Sequence, residues 1–218
     1  ITPSALEFIE RDAIDYTLKY SDVEMQITDG IKAHLLVEVD GNDLDLLYKD
    51  CEKIAEVMDQ FDCGEILLAD SESQKEQLWK LRRAIGDAIK ANSIYKEEDT
   101  VVPRAELAKL LKGIKEIGTK YGFQSACFGH AGDGNLHVNI LKGDMTDEDW
   151  NTKLPLGIRK IFELTKKLGG TISGEHGIGL VQKDYLGIVL SKKNIELQKG
   201  IKKLFDPNQI LNPGKIFN

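Results

Sequence analysis

Apolar and polar residues alternate most clearly near the middle of the chain, in residues 135–141. Every second position from Leu136 to Ile140 is apolar, and His137 and Asn139 stand between these apolar residues. A period of two sends successive side chains to opposite faces of a β-strand. The pattern therefore predicts a strand with one apolar face, and it places His137 and Asn139 together on the other face.

A second strand is predicted just before this one, in residues 124–130, where the apolar side chains share a face with His130. The glycine-containing segment 131–134 between the two runs is typical of a chain reversal. The two runs therefore predict a hairpin. His130 and His137 can meet across such a hairpin, as two ligands of one metal ion must.

Apolar residues spaced three and four positions apart predict helices along most of the remaining chain. Short β-rich runs separate these helices, and residues 34–69 are predicted to form a strand–helix–strand unit. The predicted strands lie at 34–41, 66–69 and 94–102, and the helices at 3–20, 44–61, 71–91, 103–121, 153–168 and 192–205. An acidic loop is predicted at 142–151 and an irregular tail after 205.

This order of elements predicts an α+β fold of the ferredoxin-like kind, with a mainly antiparallel sheet. The helices are expected to pack on one face of the sheet, and C-terminal helices and the tail follow. The other face of the sheet is then left for something else to cover.

A glycine-rich loop at 170–179 carries the third histidine of interest, His176, directly after Glu175. Glycines let the backbone approach a ligand closely. Two hairpin imidazoles and the Glu175 carboxylate would make a three-ligand metal site with open positions for substrate. This set suits zinc, iron or manganese. The alternative for any single histidine is an ordinary hydrogen-bonded residue, and His34, which opens an apolar run, is interpreted as structural.

Composition narrows the function classes. The chain has 218 residues, of which 41% are hydrophobic, and a net charge of −7 with a pI near 5.2. An acidic surface argues against nucleic-acid binding, since phosphates require basic partners. No apolar run approaches membrane-spanning length and no secretory signal is seen. Three cysteines without C-x-x-C spacing indicate a reduced, cytoplasmic setting. The initial Ile1 suggests a fragment or a processed product.

Three long motifs carry a family resemblance: GHAGDGNLHVN at 129–139, GGTISGEHGIG at 169–179 and FDPNQILNPGK at 205–215. Shorter matches include LEFIERDAI, LLVEVDG and LWKLRR, so the likeness covers essentially the whole chain. The sequence resembles the C-terminal domain of the FAD-linked oxidases, a family that includes D-lactate dehydrogenase, the glycolate oxidase flavin subunit and D-2-hydroxyglutarate dehydrogenase.

The resemblance implies that residues 1–218 form a substrate or cap domain whose N-terminal FAD-binding partner domain is absent from this chain. The family oxidises a D-2-hydroxy acid to the 2-keto acid by passing hydride to flavin. The chain alone is therefore expected to be inactive. An electron acceptor is a further implied partner, a homodimer is a candidate assembly, and the complete enzyme is expected in the cytoplasm or peripheral to the membrane.

The resemblance also implies roles for individual residues. His130, His137 and Glu175 match the metal ligands, and His176 matches the residue that takes the hydroxyl proton while contacting substrate. Other positions match substrate-binding residues, namely Arg82, Asn139 and, by a looser alignment, Lys96. Asn212 and Lys215 in the tail are expected to approach the FAD cofactor.

One departure from the family pattern concerns substrate choice. Gly86 stands where relatives acting on diacids carry a hydroxyl side chain, which favours lactate, glycolate or an apolar 2-hydroxy acid. Two alternative functions remain at this point: a freestanding divalent-metal hydrolase, and a non-catalytic ferredoxin-like binding module.

Overall fold

The computed structural model describes residues 1–217. A six-stranded sheet forms its centre, in the order β2-β1-β4-β5-β3-β6, and each pair of neighbouring strands is antiparallel. The strands are β1 (Ala5–Glu10), β2 (Ala33–Glu38), β3 (Tyr95–Val101), β4 (Gln124–His130), β5 (Asn135–Leu141) and β6 (Thr171–Ile172).

Helices surround this sheet and make up the rest of the regular structure. They are α1 (Arg11–Tyr20), α2 (Leu44–Met58), α3 (Glu72–Asn92), α4 (Leu107–Tyr121), α5 (Asp147–Thr152), α6 (Leu154–Lys167), α7 (Leu186–Val189) and α8 (Lys192–Phe205). Short 3₁₀ turns at Arg104–Glu106 and Lys183–Tyr185 precede α4 and α7. Within residues 1–217, none of the helices has both the length and the apolar character needed to cross a bilayer.

The predicted hairpin is confirmed, and its register explains why two histidines meet. Phe128 of β4 pairs with His137 of β5, and Ala126 pairs with Asn139. Paired residues on neighbouring strands project to the same face. The polar face of β5 therefore continues the apolar face of β4, so His137 lies beside a hydrophobic cluster.

The mixed class of helices on an antiparallel sheet is confirmed, but helices cover both faces of the sheet rather than one. Leu110 of α4 and Phe162 of α6 join one core with Val138 of β5. Ile14 of α1 and Leu81 of α3 join a second core on the opposite face. An apolar stripe shows that a helix covers a surface, but the stripe alone does not say which face of the sheet it covers.

Two predicted elements near the N-terminus are wrong. Residues 5–10 form strand β1 instead of the start of a helix, because pairing with β2 and β4 on both sides outweighs the helical spacing of Leu6, Ile9 and Ala13. Residues 66–69 form no strand, and their large apolar side chains are exposed. The strand–helix–strand unit is therefore not formed, since a β-rich run needs a partner strand.

Other boundaries follow local chemistry. Ser71 and Gln74 form the capping box that begins α3. The acidic segment predicted as a loop contains α5, because the Thr146 hydroxyl accepts a hydrogen bond from the amide of Asp149 and acidic residues fill the first turn.

A buried ion pair joins β1 to α4. The Lys115 ammonium donates to Oε1 of Glu10 at 2.6 Å, and the same oxygen accepts from the backbone amide of Cys127 at 2.6 Å. Glu10 is 4% exposed. Burial raises the pKa of Glu10 above its ordinary value, although Lys115 and the Cys127 amide act to lower it.

We predict that Lys115→Met lowers the free energy of unfolding by about 2 kcal/mol at pH 7, because it leaves the Glu10 carboxylate buried without a cation. The folded variant then binds a proton more tightly than its unfolded chain, so the deficit shrinks as the pH falls from 7 to about 5. Urea unfolding at both pH values measures this change. Lys109→Met, at a surface pair with Glu106, is the control and should cost less than about 0.5 kcal/mol. Equal losses in the two variants would contradict the prediction.

Candidate metal and substrate site

Four side chains from the hairpin and the glycine-rich loop converge at one place on the sheet. Oε1 of Glu175 lies 3.1 Å from Nε2 of His137, 3.6 Å from Nε2 of His130 and 3.6 Å from Nε2 of His176. The rings of His137 and His176 are stacked with centroids 5.0 Å apart. The structure thus brings together the three predicted metal ligands and the predicted proton acceptor.

Asp99 of β3 holds the glycine-rich loop against the sheet. Its Oδ2 accepts hydrogen bonds from the backbone amides of Glu175 at 2.7 Å and His176 at 2.9 Å. Its Oδ1 accepts from Nδ2 of Asn135 at 2.6 Å. Burial acts to raise the pKa of Asp99, but these donors outweigh it and hold the pKa below its usual value. An ionised Asp99 therefore sets the position of the loop's two functional residues.

Gly174 is needed where the loop passes this anchor. A Cβ atom at Gly174 would lie 2.4 Å from Nδ2 of Asn135 and 3.3 Å from Oδ1 of Asp99. Only a residue without a side chain lets the backbone approach so closely. The glycine before Glu175 is thus required by the contact that fixes Glu175.

Glu7 of β1 links the hairpin histidine to the predicted substrate arginine. Its Oε1 lies 2.6 Å from Nδ1 of His130, and its Oε2 accepts from Nε of Arg82 at 2.7 Å. The strand register places Glu7 directly opposite His130. The guanidinium of Arg82 also lies 4.6 Å from the centre of the Phe128 ring. Glu7 therefore orients the side chains of both His130 and Arg82.

The chemistry of these donors fits a bound cation. A carboxylate partner at Nδ1 assigns the proton of a neutral His130 ring to that nitrogen, so Nε2 offers a lone pair toward the Glu175 carboxylate. These two acceptors repel each other, and a cation bound between them removes this repulsion. Burial lowers the pKa of His137 to about 4, so this imidazole is neutral and able to act as a ligand at pH 7. Its buried Nδ1 has no hydrogen-bond partner among the described residues.

Two three-residue groups have metal-binding geometry. One ligand atom from each of His130, His137 and Glu175 lies within 4.8 Å of the other two, and the same holds for Glu97, His137 and His176. Two nitrogens and one oxygen suit zinc, iron or manganese. The first group has the additional support of Glu7 behind His130.

The predicted substrate residues separate into two sets. Asn139 is 2% exposed, lies on the face that carries His137, and has an amide nitrogen with no partner within residues 1–217. Arg82 reaches the same region through Glu7. Lys96 does not: it pairs with Ile140 in the opposite core, and its ammonium lies 3.7 Å from Glu98. One step along a strand reverses the direction of a side chain, and this reversal removes Lys96 from the site.

Gly86, one turn of α3 after Arg82, faces open space, because an added Cβ would meet no atom within 4 Å.

The tail residues predicted to approach a cofactor lie near the end of the glycine-rich loop. The amide of Ile216 donates to the carbonyl of Gly179 at 2.7 Å, and the ammonium of Lys215 donates to Oδ1 of Asn212 at 2.8 Å. The tail is thus attached beside the loop that carries Glu175. The cofactor roles of Asn212 and Lys215 stay predictions.

Three carboxylates of the site, Glu7, Glu97 and Asp99, were missed in the sequence. No alternation of apolar and polar residues marks them, because the apolar residues of β1 have helical spacing and residues 96–100 of β3 are all polar. Only the sheet order places β1 and β3 on either side of the hairpin.

The class of domain is defined by an antiparallel sheet with helices on both faces and by a histidine–carboxylate cluster on its interior strands β4, β5 and β3. The family model for the C-terminal domain of FAD linked oxidases matches residues 1–216, and the chain belongs to this family.

Curated relatives match over almost the whole chain. It is 36% identical to a D-lactate dehydrogenase of Anaerostipes hadrus (99% of this chain, 46% of the relative) and 36% identical to a glycolate oxidase subunit of Bacillus subtilis (100% and 46%). It is 34% identical to a D-2-hydroxyglutarate dehydrogenase of Stutzerimonas stutzeri (98% and 47%). The chain therefore spans about half the length of these relatives.

Solved structures support the fold. A 4-ethylphenol oxidase from Gulosibacter chungangensis superposes with a TM-score of 0.64 at 17% identity, over 98% of this chain and 47% of the other. A p-cresol methylhydroxylase superposes with a TM-score of 0.65 at 12% identity, over 97% and 46%. At these identities the likeness concerns the fold alone.

We predict that Asp99→Asn loosens the glycine-rich loop. An amide side chain has one acceptor oxygen, so it cannot accept from both Asn135 and the loop amides, and either orientation sets two donors against each other. Hydrogen exchange at the amides of Glu175 and His176 should become faster, with a loss of about 2 kcal/mol in unfolding free energy. Asp147→Asn, at an exposed ion pair, is the matched control. Unchanged exchange at both amides would show that Asp99 does not hold the loop.

Proposed function

We propose that this chain forms the substrate- and metal-binding half of an FAD-dependent dehydrogenase or oxidase that converts a D-2-hydroxy acid to the 2-keto acid. The observation that carries this proposal is the convergence of His130, His137 and Glu175 beside His176 in a member of the FAD-linked oxidase family. Removing two hydrogens from a secondary alcohol requires a hydride acceptor and a base. Flavin would take the hydride from C2, and the chain would supply the base.

The residues divide the work by their chemistry. His130, His137 and Glu175 would hold a divalent cation, which supplies a Lewis acid that lowers the pKa of a substrate hydroxyl. His176 is 41% exposed in its side chain, so its imidazole is accessible and would take the hydroxyl proton. The buried amide nitrogen of Asn139 has no hydrogen-bond partner in the described part of the chain, and it would donate to a substrate oxygen.

Arg82 is suited to bind the substrate carboxylate. Glu7 accepts a hydrogen bond only from Nε of Arg82, so the terminal guanidinium nitrogens of Arg82 remain available as donors. The ion pair with Glu7 and the packing on Phe128 fix the plane of the guanidinium. A planar donor group held in this way can recognise a carboxylate with two parallel hydrogen bonds.

We further propose that FAD is held mainly by a separate domain, approached by Asn212 and Lys215, and that reduced flavin passes its electrons to an external acceptor. The three cysteines are free thiols, which supports our proposal of a reducing, cytoplasmic location. A peripheral membrane position and a homodimer are further proposals. A freestanding hydrolase or a non-catalytic module has less support, because the relatives over the whole chain are flavin-linked dehydrogenases and oxidases.

We predict that the chain, purified without chelators, binds about one divalent ion, and that His130→Ala or Glu175→Ala reduces the bound metal to less than about a tenth of an equivalent. Elemental analysis by mass spectrometry measures this. His34→Ala removes a histidine of edge strand β2 and should retain the ion. Wild-type protein with less than a tenth of an equivalent, unchanged by any of the three variants, would contradict the metal site.

We predict that His176→Ala slows flavin reduction by a D-2-hydroxy acid by about 10² to 10⁴-fold in the flavin-containing protein that carries this chain, because the hydroxyl proton loses its acceptor. Anaerobic stopped-flow bleaching of the flavin gives the rate constant. Flavin and metal contents should match those of the wild type, which separates lost proton transfer from lost binding. Equal rates in the variant and the wild type would remove His176 from the mechanism.

A further inference from the structure

Strand β3 brings a second carboxylate, Glu97, to the proposed substrate site. Its register pairs Glu97 with Asn139 and Asp99 with His137, so these side chains share one face of the sheet. A carboxylate oxygen of Glu97 lies within 4.8 Å of ring nitrogens of His137 and His176. A substrate bound between Asn139 and His176 would therefore have Glu97 at its border.

The charges around Glu97 are not balanced by a neighbouring lysine or arginine. Lys96 points to the opposite core. Arg82 already has an anionic partner in Glu7, and Glu175 and Asp99 add further negative charge to the same surface. Within residues 1–217, Glu97 forms no ion pair with a basic side chain. The border next to Asn139 is thus anionic.

The relatives do not decide between two substrate classes. Relatives with whole-chain matches include proteins named for D-lactate and for glycolate, which carry one carboxylate, and for D-2-hydroxyglutarate, which carries two. Their identities to this chain differ by only two percentage points, 36% against 34%. The two classes differ chemically at the end of the substrate remote from C2.

We propose that Glu97 is a specificity-determining residue that rejects a second substrate carboxylate, so that the chain acts on monocarboxylic 2-hydroxy acids. This inference rests on the proposed function. Like charges brought together in a partly desolvated pocket repel each other strongly, and such repulsion discriminates between ligands that share the rest of their structure. Within residues 1–217, no side chain lies within 4 Å of a Cβ added at Gly86, so none at this position compensates the second carboxylate.

The test compares D-lactate with D-2-hydroxyglutarate as substrates of the flavin-containing protein that carries this chain. The wild type should have the higher kcat/KM for D-lactate. Glu97→Gln removes the charge and keeps the size, so the ratio of kcat/KM for D-2-hydroxyglutarate to that for D-lactate should rise at least about tenfold. Lys96→Gln is the matched control on the adjacent residue, and this ratio should stay within about twofold of the wild-type ratio.

Binding of the 2-keto products gives a readout that does not depend on turnover. The dissociation constant of 2-oxoglutarate should fall in Glu97→Gln relative to that of pyruvate, both measured through the flavin absorbance spectrum. The metal content of Glu97→Gln should equal that of the wild type, since the carboxylate acts on substrate.

Several outcomes would overturn the inference. A wild type that prefers D-2-hydroxyglutarate, an unchanged ratio in Glu97→Gln, or loss of the metal in that variant would each contradict it. A fall in the ratio of kcat/KM for D-2-hydroxyglutarate to that for D-lactate in Lys96→Gln would instead show that Lys96 binds the second carboxylate of the substrate. Failure of the proposed function is distinct, because then neither acid would bleach the flavin.

Discussion

The candidate site depends on one buried carboxylate, Asp99, and on the hydrogen bonds that it accepts. Its Oδ2 receives the amides of two consecutive loop residues at 2.7 and 2.9 Å, and its Oδ1 receives Asn135 at 2.6 Å. A charged acceptor satisfied in this way is a strong constraint in a partly buried setting. Because the two amides belong to Glu175 and His176, the same contact positions a metal ligand and the proposed base. Loop and sheet are thereby held in one arrangement.

The two faces of the sheet have different roles: one packs against the apolar core, and the other carries the residues of the candidate site. One face carries a continuous apolar core between α4, α6 and the alternating residues of β5. The other face is apolar where α1 and α3 cover β4 and adjoining parts of β1 and β5. It is polar where β5 and β3 carry His137, Asn139 and Glu97. Polar groups on this part of the sheet, such as the amide nitrogen of Asn139, have no hydrogen-bond partner among the residues that the structure describes. A ligand site requires a rigid apolar core on one face of the sheet and polar groups with unused hydrogen-bonding capacity on the other.

Sequence patterns predicted the hairpin and its histidines because alternation by two is a local signal, and the bounds of both strands agree with the structure. The role of Glu7 could not be predicted in the same way, since it lies 123 positions before His130 and meets that residue only through the sheet order. Lys96 illustrates the same limit: a shift of one residue in a strand exchanges the two faces, and Glu97 occupies the site instead. Residues 66–69 show that β-rich composition without a partner strand does not make a strand.

In the proposed metal site, the hairpin histidines and the loop carboxylate bind one cation together. Anomalous X-ray diffraction from crystals of the protein, collected above and below the absorption edge of the bound metal, tests this claim most directly. We expect one anomalous peak about 2.0–2.3 Å from Nε2 of His130, Nε2 of His137 and a carboxylate oxygen of Glu175. A peak that lies elsewhere on the molecule, or at this place without Glu175 among the ligands, would contradict it.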